Sequence, residues 1–126
     1  MTIMYVGNVI VAGIISVLSL FNQELSQKTV WGNAGELGQA MYVTGSQWLA
    51  IAIISLCGLF INEVAFSVVF LHQLIYKGTY LLVSVLPNIL KKDYDSIPVE
   101  MSCFFLVWVI LLPFAIPWDY YLVNIR

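Results

Sequence analysis

Four apolar stretches separated by short polar segments constrain this chain more than any other feature. They lie at about residues 3–21, 41–61, 65–86 and 98–117. A helix needs about 20 residues to cross the hydrocarbon core of a bilayer. Backbone groups in lipid must also be hydrogen-bonded within the protein, and a helix does this within one segment. The pattern therefore predicts an all-α fold, an integral membrane four-helix bundle, as one transmembrane domain over residues 1–126.

Composition supports this prediction and excludes some classes of function. The chain is 61% hydrophobic and only 10% charged, whereas soluble domains carry about 25% charged residues. The net charge of −2, with no run of like charge beyond the pair Lys91 and Lys92, gives no basis for nucleic-acid binding. We expect the lipid bilayer to be the chain's surroundings, and the bacterial inner membrane to be its location.

The first apolar stretch has some features of a secretory signal peptide. It lacks the basic segment that precedes the apolar run of such a peptide, and Leu18–Phe21 is a poor cleavage context. The apolar run is also long for a signal peptide. We therefore expect a retained first membrane helix.

The longest predicted connection runs from Asn22 to Ala40. Asn33 and Glu36 have the spacing of a capping box, which would allow the second helix to begin before the apolar stretch does. Trp31 would then lie at the membrane interface, where tryptophan is enriched. The glycines at positions 35 and 38 oppose an early start, because glycine destabilises a helix.

The other connections predict how the helices alternate. Only Asn62 and Glu63 separate the second and third stretches, which predicts a tight antiparallel hairpin. Four crossings would place the Glu63 turn and both chain ends on one side. The connections that carry Lys28 and the Lys91–Lys92 pair would lie on the other side, and their lysines favour a cytoplasmic location for that side.

Lys77 is the most unusual residue of the third stretch. An amine at the centre of a membrane helix costs roughly 3 kcal/mol on insertion scales, so we expect Lys77 to face a protein interior or a wet cavity. Glu63 lies fourteen residues away, or about 21 Å of helical rise. Glu100 enters from the opposite side, and the Lys77 side chain leans away from it. Water, a tyrosine hydroxyl, a lipid phosphate and another subunit all remain open as partners.

A set of polar side chains surrounds Lys77, and we name these residues as candidates for a cavity or ligand site. They are Lys77, Gln73, Tyr80 and Ser84 on one helix face, with Tyr76 at its border and His72 at its edge. The functional interpretation is a cavity lining, either for a ligand or for a proton or ion path. The structural interpretation is a hydrogen-bond network between helices, which we favour for Gln73 and Ser84 alone. For Lys77 we favour a cavity or a partner contact.

Catalytic and metal sites are not indicated by any motif. His72 is the only histidine, so a haem with two axial ligands would need a second chain or a methionine. No zinc-type ligand spacing is present, and no serine has a base arranged to activate it. Cys57 and Cys103 lie near opposite ends of their helices, too far apart for a disulfide, so we expect two buried free thiols. We predict no catalytic residue, no metal and no cofactor.

Two stretches in the second half of the chain carry a resemblance. They are Leu71–Leu82, which reads LHQLIYKGTYLL, and the segment from Phe105 through Trp108 to Ile116–Trp118. In these stretches the chain resembles small bacterial four-helix (tetraspan) membrane proteins and, more loosely, DoxX-like proteins, which share four spans. The resemblance implies a membrane bundle but no reaction, and we transfer no functional residue from it.

Three functions are compatible with these observations. The leading hypothesis is a small non-enzymatic membrane protein that acts by interaction, as a homo-oligomer or as an accessory subunit of a larger membrane complex. The first alternative is an oligomeric channel or transporter with a polar path around Lys77. The second alternative is a quinone- or haem-linked redox component with His72 and Tyr76 near the cofactor. The direction of Lys77, toward a symmetry axis or toward the monomer's own core, distinguishes the first two.

Overall fold

The computed structural model of this protein describes residues 1–32 and 36–124, and within these ranges all regular structure is helical. The helices are α1 (Thr2–Phe21), α2 (Gln23–Ser26), α3 (Gln39–Phe60), α4 (Val68–Tyr80), α5 (Leu86–Leu90), α6 (Val99–Ala115) and α7 (Trp118–Asn124). Two π-helical segments, Gln27–Trp31 and Leu81–Val85, continue α2 and join α4 to α5. The prediction of an all-α fold is confirmed.

Three of the helices are long and apolar enough to cross a membrane, which indicates a membrane location. They are Thr2–Phe21, Gln39–Phe60 and the continuous helix Val68–Leu90. Helix α6 is apolar as well, but its 17 residues make it shorter than the other three. Three of the four predicted spans are therefore helices that could cross a membrane by their length and composition.

Helices α1 and α3 pack closely because small residues line their contact. Asn8 of α1 donates a hydrogen bond from Nδ2 to Oγ of Ser55 on α3, over 3.1 Å. Gly45 of α3 lies against the side chain of Ser19, and Gly58 lies against the ring of Tyr5. Small residues let two helix backbones approach in lipid, where interhelical van der Waals contact is a main source of stability.

Replacing Gly58 by alanine should lower the free energy of unfolding by about 1–3 kcal/mol, the usual cost of an overpacked core. The added methyl group would overlap with the Tyr5 ring. That ring cannot move easily, because its hydroxyl donates to the Glu63 carbonyl oxygen at 2.6 Å and it packs on Phe70. Gly13→Ala is the control, since nothing lies within 4 Å of the added atom. Thermal unfolding in detergent measures both, and equal stabilities would contradict the packing described.

One end of the protein is defined by contacts between distant parts of the chain. Thr2 donates from Oγ1 to Oε1 of Glu63 at 2.5 Å, and the Tyr5 hydroxyl donates to the Glu63 carbonyl oxygen. Oγ of Ser67 and the hydroxyl of Tyr121 on α7 are 2.8 Å apart. The start of α1, the turn after α3 and α7 therefore lie together.

The opposite end gathers the two lysine-bearing connections. Lys28 and Trp31, from the segment after α2, line the same depression as Pro98 and Glu100 at the start of α6. The predicted separation of the Glu63 turn from the Lys28 connection is confirmed by these contacts.

The segment after α1 differs from the long connection that the sequence predicts. The side chain of Asn22 accepts a hydrogen bond from the Leu25 backbone at 3.2 Å and caps α2. The chain then folds back, so that the indole N–H of Trp31 donates to Oγ of Ser19 at 3.2 Å. Trp31 is buried within the protein, and its position at the membrane interface stays a prediction. Helix α3 begins at Gln39, and the capping role predicted for Asn33 lies outside the described residues.

The connection between α3 and α4 is longer than the predicted two residues and spans residues 61–67. The side chain of Asn62 accepts hydrogen bonds from the backbone N–H groups of Val64 and Ala65, at 3.0 and 2.9 Å. This turn delays α4 until Val68, three residues after the predicted start of the third helix. Helix α3 packs mainly against α1, and α4 mainly against α6. The tight α3–α4 hairpin predicted from the sequence is therefore absent from the described chain.

The two cysteines are free thiols, as predicted. Their burial was predicted incorrectly: Cys57 is only partly buried, and Cys103 is exposed on the outer face of α6. Cys103 lies on the side of α6 that faces away from the other helices. Leu106 and Val107 are exposed on the same side.

Candidate functional site

Lys77 is fully buried, and its ammonium group lies among aromatic rings. The rings, with the distances from Nζ to their centroids, are Trp108 (5.0 Å), Tyr76 (5.1 Å), Trp48 (5.2 Å), Phe105 (5.6 Å) and Phe104 (6.0 Å). The group also donates a hydrogen bond to Oε1 of Gln73, one turn earlier on α4. Helices α3, α4 and α6 each contribute to this pocket, so Lys77 points into the core of a single chain.

The Lys77 pocket holds a buried amine without a carboxylate. In the described part of the chain, Gln73 is the hydrogen-bond partner of Nζ, and no acidic group is within ion-pair distance. The faces of aromatic rings carry negative partial charge and attract a desolvated cation by about 2 kcal/mol per favourable contact. Aromatic faces therefore take the place of an acid around the protonated form of this buried amine.

The aromatic residues of this pocket were missed by sequence reasoning, except for Tyr76. Phe104 and Trp108 stand four apart on α6, and Phe105 lies between them. That spacing places Phe104 and Trp108 on one helix face, which is a signal that can be found without a structure. Trp48 on α3 offers no comparable signal, because its contact with Lys77 depends on how the helices pack.

The six predicted site residues do not form one site. Gln73 and Lys77 are buried in the pocket described above, whereas His72, Tyr76 and Tyr80 line a cleft on another side of α4. Tyr76 belongs to both, since one face of its ring meets Lys77. Ser84 lies within the π-helical segment Leu81–Val85. A π-helical turn holds more residues than an α-helical turn, so the four-residue spacing used to place Ser84 beside Lys77 does not hold there.

The cleft lies between α3 and α4, where the two helices diverge from the Glu63 end. It has a volume of about 300 Å³. Its lining comes from Trp31, Glu36, Ala40, Met41, Thr44, Gln47, Trp48, Ile51, His72, Tyr76, Tyr80, Met101 and Phe105. Gln47 and His72 are exposed, so the cleft opens to the outside of the protein between the two helices.

Polar groups of the cleft lack partners within the protein. The Tyr76 hydroxyl is buried and makes no hydrogen bond. Among the described residues, the side chains of Gln47, His72 and Tyr80 make no hydrogen bond either. A buried polar group without a partner costs about 1–3 kcal/mol. The amide of Gln47, the imidazole of His72 and the phenol of Tyr80 are available for a bound molecule, whereas the Tyr76 hydroxyl is enclosed within the protein.

Replacing Tyr76 by phenylalanine should raise the free energy of unfolding by about 1 kcal/mol, because it removes an unpaired buried hydroxyl and keeps the ring. Tyr5→Phe is the matched control. The Tyr5 hydroxyl is paired with the Glu63 carbonyl oxygen at 2.6 Å, so its loss should lower stability by about 1 kcal/mol. Thermal unfolding of both variants in the same detergent gives the comparison. A loss of stability in Tyr76→Phe equal to that in Tyr5→Phe would show that Tyr76 has a partner.

A metal or haem site finds little support in this geometry. Within residues 1–32 and 36–124, no three His, Cys, Asp or Glu side chains come close enough to hold a metal ion. His72 lies at the rim of the cleft and would supply one ligand at most from each chain.

Comparison with protein-family models, with curated proteins and with solved structures finds no match to this chain. The resemblance to DoxX-like proteins stays a prediction. The basis for a functional proposal is the chemistry of the Lys77 pocket and of the cleft beside it.

Proposed function

We propose that this chain is an integral membrane protein of four spans that acts without catalysis, by binding a molecule dissolved in the same bilayer. The cleft between α3 and α4 is the recognition site, and the membrane is the bacterial inner membrane. The chain works as an accessory subunit of a membrane complex or as a homo-oligomer, since its short connections leave little room for a site outside the membrane.

Helix α6 supplies the fourth span in this proposal. Its 17 residues extend over about 25 Å, close to the roughly 30 Å thickness of a hydrocarbon core. From Leu106 to Ala115, the exposed side chains of α6 are apolar: Leu106, Val107, Ile110, Leu111 and Phe114 are all at least 47% exposed. Such a surface is stable in lipid and unfavourable in water.

The observation that carries the binding proposal is the set of unpartnered polar groups in the cleft. Gln47 lies in the first half of α3, and Tyr80 lies near the middle of the helix Val68–Leu90, so both are within segments that this proposal places in the membrane. Polar groups at that depth must find partners, because hydrocarbon offers none. Pockets between helices, with apolar walls and a few polar groups, are a common form of ligand site.

Conduction around Lys77 receives less support. The side chain is 0% exposed, and five aromatic rings enclose its ammonium group, so no continuous polar surface leads to it. A channel would need Lys77 at an axis between chains, whereas here it points into its own chain. One observation favours the quinone- or haem-linked alternative: His72 and Tyr76 both line the cleft.

The proposal is tested by photo-crosslinking in the native membrane. Benzoylphenylalanine is placed at position 47 on the cleft, or at position 53 as a control, since Ile53 is exposed on the same helix and is not part of the cleft lining. Intact mass spectrometry after irradiation should show one discrete adduct from position 47 and a mixture of phospholipid adducts from position 53. The same phospholipid mixture from both positions would refute a specific site.

A further inference from the structure

We infer that the cleft between α3 and α4 takes an organic cation, an ammonium group carried by an apolar body. The charged group lies at Glu36 and the apolar body lies between the two helices. The inference rests on the proposed binding function and names the class of molecule that is bound. It depends on the charge of the cleft, on the rings around its charged end and on the direction in which the cleft runs.

Glu36 determines which sign of charge the cleft attracts. It is the only Asp, Glu, Lys or Arg among the described residues that line the cleft. Its side chain is exposed, and in the described part of the chain no basic group forms an ion pair with it. The other polar side chains of the lining, Gln47, His72 and Tyr80, can both donate and accept hydrogen bonds. They therefore accommodate ligands of several kinds, whereas the carboxylate of Glu36 favours a cation.

Two aromatic rings at the Glu36 end of the cleft add to this preference. Trp31 and Tyr80 line the cleft together with Glu36, and neither belongs to the five rings around Nζ of Lys77. The face of an aromatic ring attracts an ammonium group within about 6 Å, and such rings commonly hold quaternary ammonium ligands. An anionic ligand would be repelled by the carboxylate and by the ring faces, and a neutral ligand would gain from neither.

The amine of Lys77 does not reverse the preference. Its Nζ lies 5.2 Å from the Trp48 ring, and Trp48 is eight residues from Ala40 at the Glu36 end of α3, or about 12 Å of helical rise. Coulomb energy falls in proportion to distance. At equal screening, a ligand charge about 4 Å from the Glu36 carboxylate is attracted about three times as strongly as a protonated Lys77 about 12 Å away repels it. The cleft therefore favours a cation in either protonation state of Lys77.

The direction of the cleft fits a ligand with its charge at one end. Glu36 precedes α3, which begins at Gln39, so the carboxylate lies beyond the end of this proposed span. From Ala40 to Ile51 the cleft then follows α3 for about 16 Å. Amphipathic groups keep a charged head near water and bury an apolar stem beside it. A cation with an apolar body can enter from the bilayer in this orientation, because the cleft opens to the outside between the helices.

The test compares benzyltrimethylammonium with neopentylbenzene, which has carbon in place of the nitrogen and no charge. Equilibrium dialysis of the protein in dodecyl maltoside, an uncharged detergent, measures binding, with protein-free micelles as the partition control. Glu36→Gln should weaken binding of benzyltrimethylammonium about fivefold, the upper end for an exposed ion pair. It should change binding of neopentylbenzene less than about twofold, because an uncharged ligand has no ion pair to lose.

Glu24→Gln is the matched control, because it removes the same charge at another place. Glu24 is exposed on α2 and is not part of the cleft lining. This variant should bind benzyltrimethylammonium as tightly as the wild type does.

Two variants of Tyr80 test the contribution of a ring face in the same assay. Tyr80→Leu should weaken binding of benzyltrimethylammonium about threefold, because it removes the ring. Tyr80→Phe should bind within about twofold of the wild type, because it keeps the ring and loses only the hydroxyl. Equal weakening by both variants would overturn the role of the ring.

The outcomes separate this inference from the proposed function. Absence of benzyltrimethylammonium binding, equal weakening of both compounds by Glu36→Gln, or equal effects of Glu36→Gln and Glu24→Gln would overturn the ligand class. In the crosslinking experiment, the mass of a discrete adduct at position 47 distinguishes an amine-bearing phospholipid from a free organic cation, and both agree with the inference. A discrete adduct without an amine would leave the binding function standing and overturn only the ligand class. If position 47 gives no discrete adduct and benzyltrimethylammonium does not bind, both proposals fail.

Discussion

Replacing Lys77 by glutamate should prevent recovery of folded protein. The side chain would place an anion against the faces of five aromatic rings and beside Oε1 of Gln73, all of which carry negative partial charge. An uncompensated buried charge costs about 3–5 kcal/mol or more, a large part of the 5–15 kcal/mol that stabilises a typical protein. Size-exclusion chromatography and circular dichroism in detergent would show aggregated or unfolded material.

Lys77→Met is the matched variant, because methionine has a similar length and no charge. The carbonyl oxygen of Gln73 would lose its hydrogen-bond donor, which lowers the free energy of unfolding by about 1–3 kcal/mol. Removing the cost of burying an ammonium group offsets this loss, so the variant should fold with a stability within about 2 kcal/mol of the wild type. Equal stability of the glutamate and methionine variants would contradict the closed aromatic pocket, since a lysine that reaches water tolerates either change.

Replacing Trp48 by alanine should lower the free energy of unfolding by about 3–5 kcal/mol, the usual cost of truncating a buried aromatic residue. Trp48 is 4% exposed. Its ring contacts those of Trp31, Tyr76 and Phe105, and the Nζ atom of Lys77 lies over it.

Trp118→Ala is the control for Trp48→Ala. Trp118 is 42% exposed on α7, and its indole N–H donates to the Pro113 carbonyl oxygen at 2.8 Å. Replacing Trp118 should lower the free energy of unfolding by about 1 kcal/mol, the usual contribution of one partly exposed hydrogen bond. Chemical or thermal unfolding in the same detergent compares the two. Similar losses would mean that Trp48 is not at the centre of the core.

The helices could be predicted from the sequence because a single physical requirement determines them. A long apolar segment must satisfy its own backbone groups in lipid, and only a helix does so locally. The interior position of Lys77 follows in the same way, from the cost of an exposed amine in hydrocarbon. Neither inference needs to know which helices are neighbours.

The partners of Lys77 could not be predicted, because they depend on which helices are neighbours. Trp48 and Phe105 reach it from other helices, and no pattern along the chain relates their positions to residue 77. The loose packing of α3 against α4 could not be predicted for a similar reason. Two polar residues between apolar stretches indicated a hairpin, but the Asn62 turn and the packing of α4 on α6 separate the two helices and form the cleft.

The direction of Lys77 is the central claim of this account, and lysine modification tests it most directly. The protein in lipid nanodiscs is treated with formaldehyde and a borohydride reagent, and modified positions are read by mass spectrometry. Lys28, Lys91 and Lys92 are exposed and should be dimethylated quickly, while Lys77, at 0% exposure, should react only after denaturation. Modification of Lys77 in the folded protein at a rate similar to that of Lys28 would contradict the account and restore a wet path around Lys77.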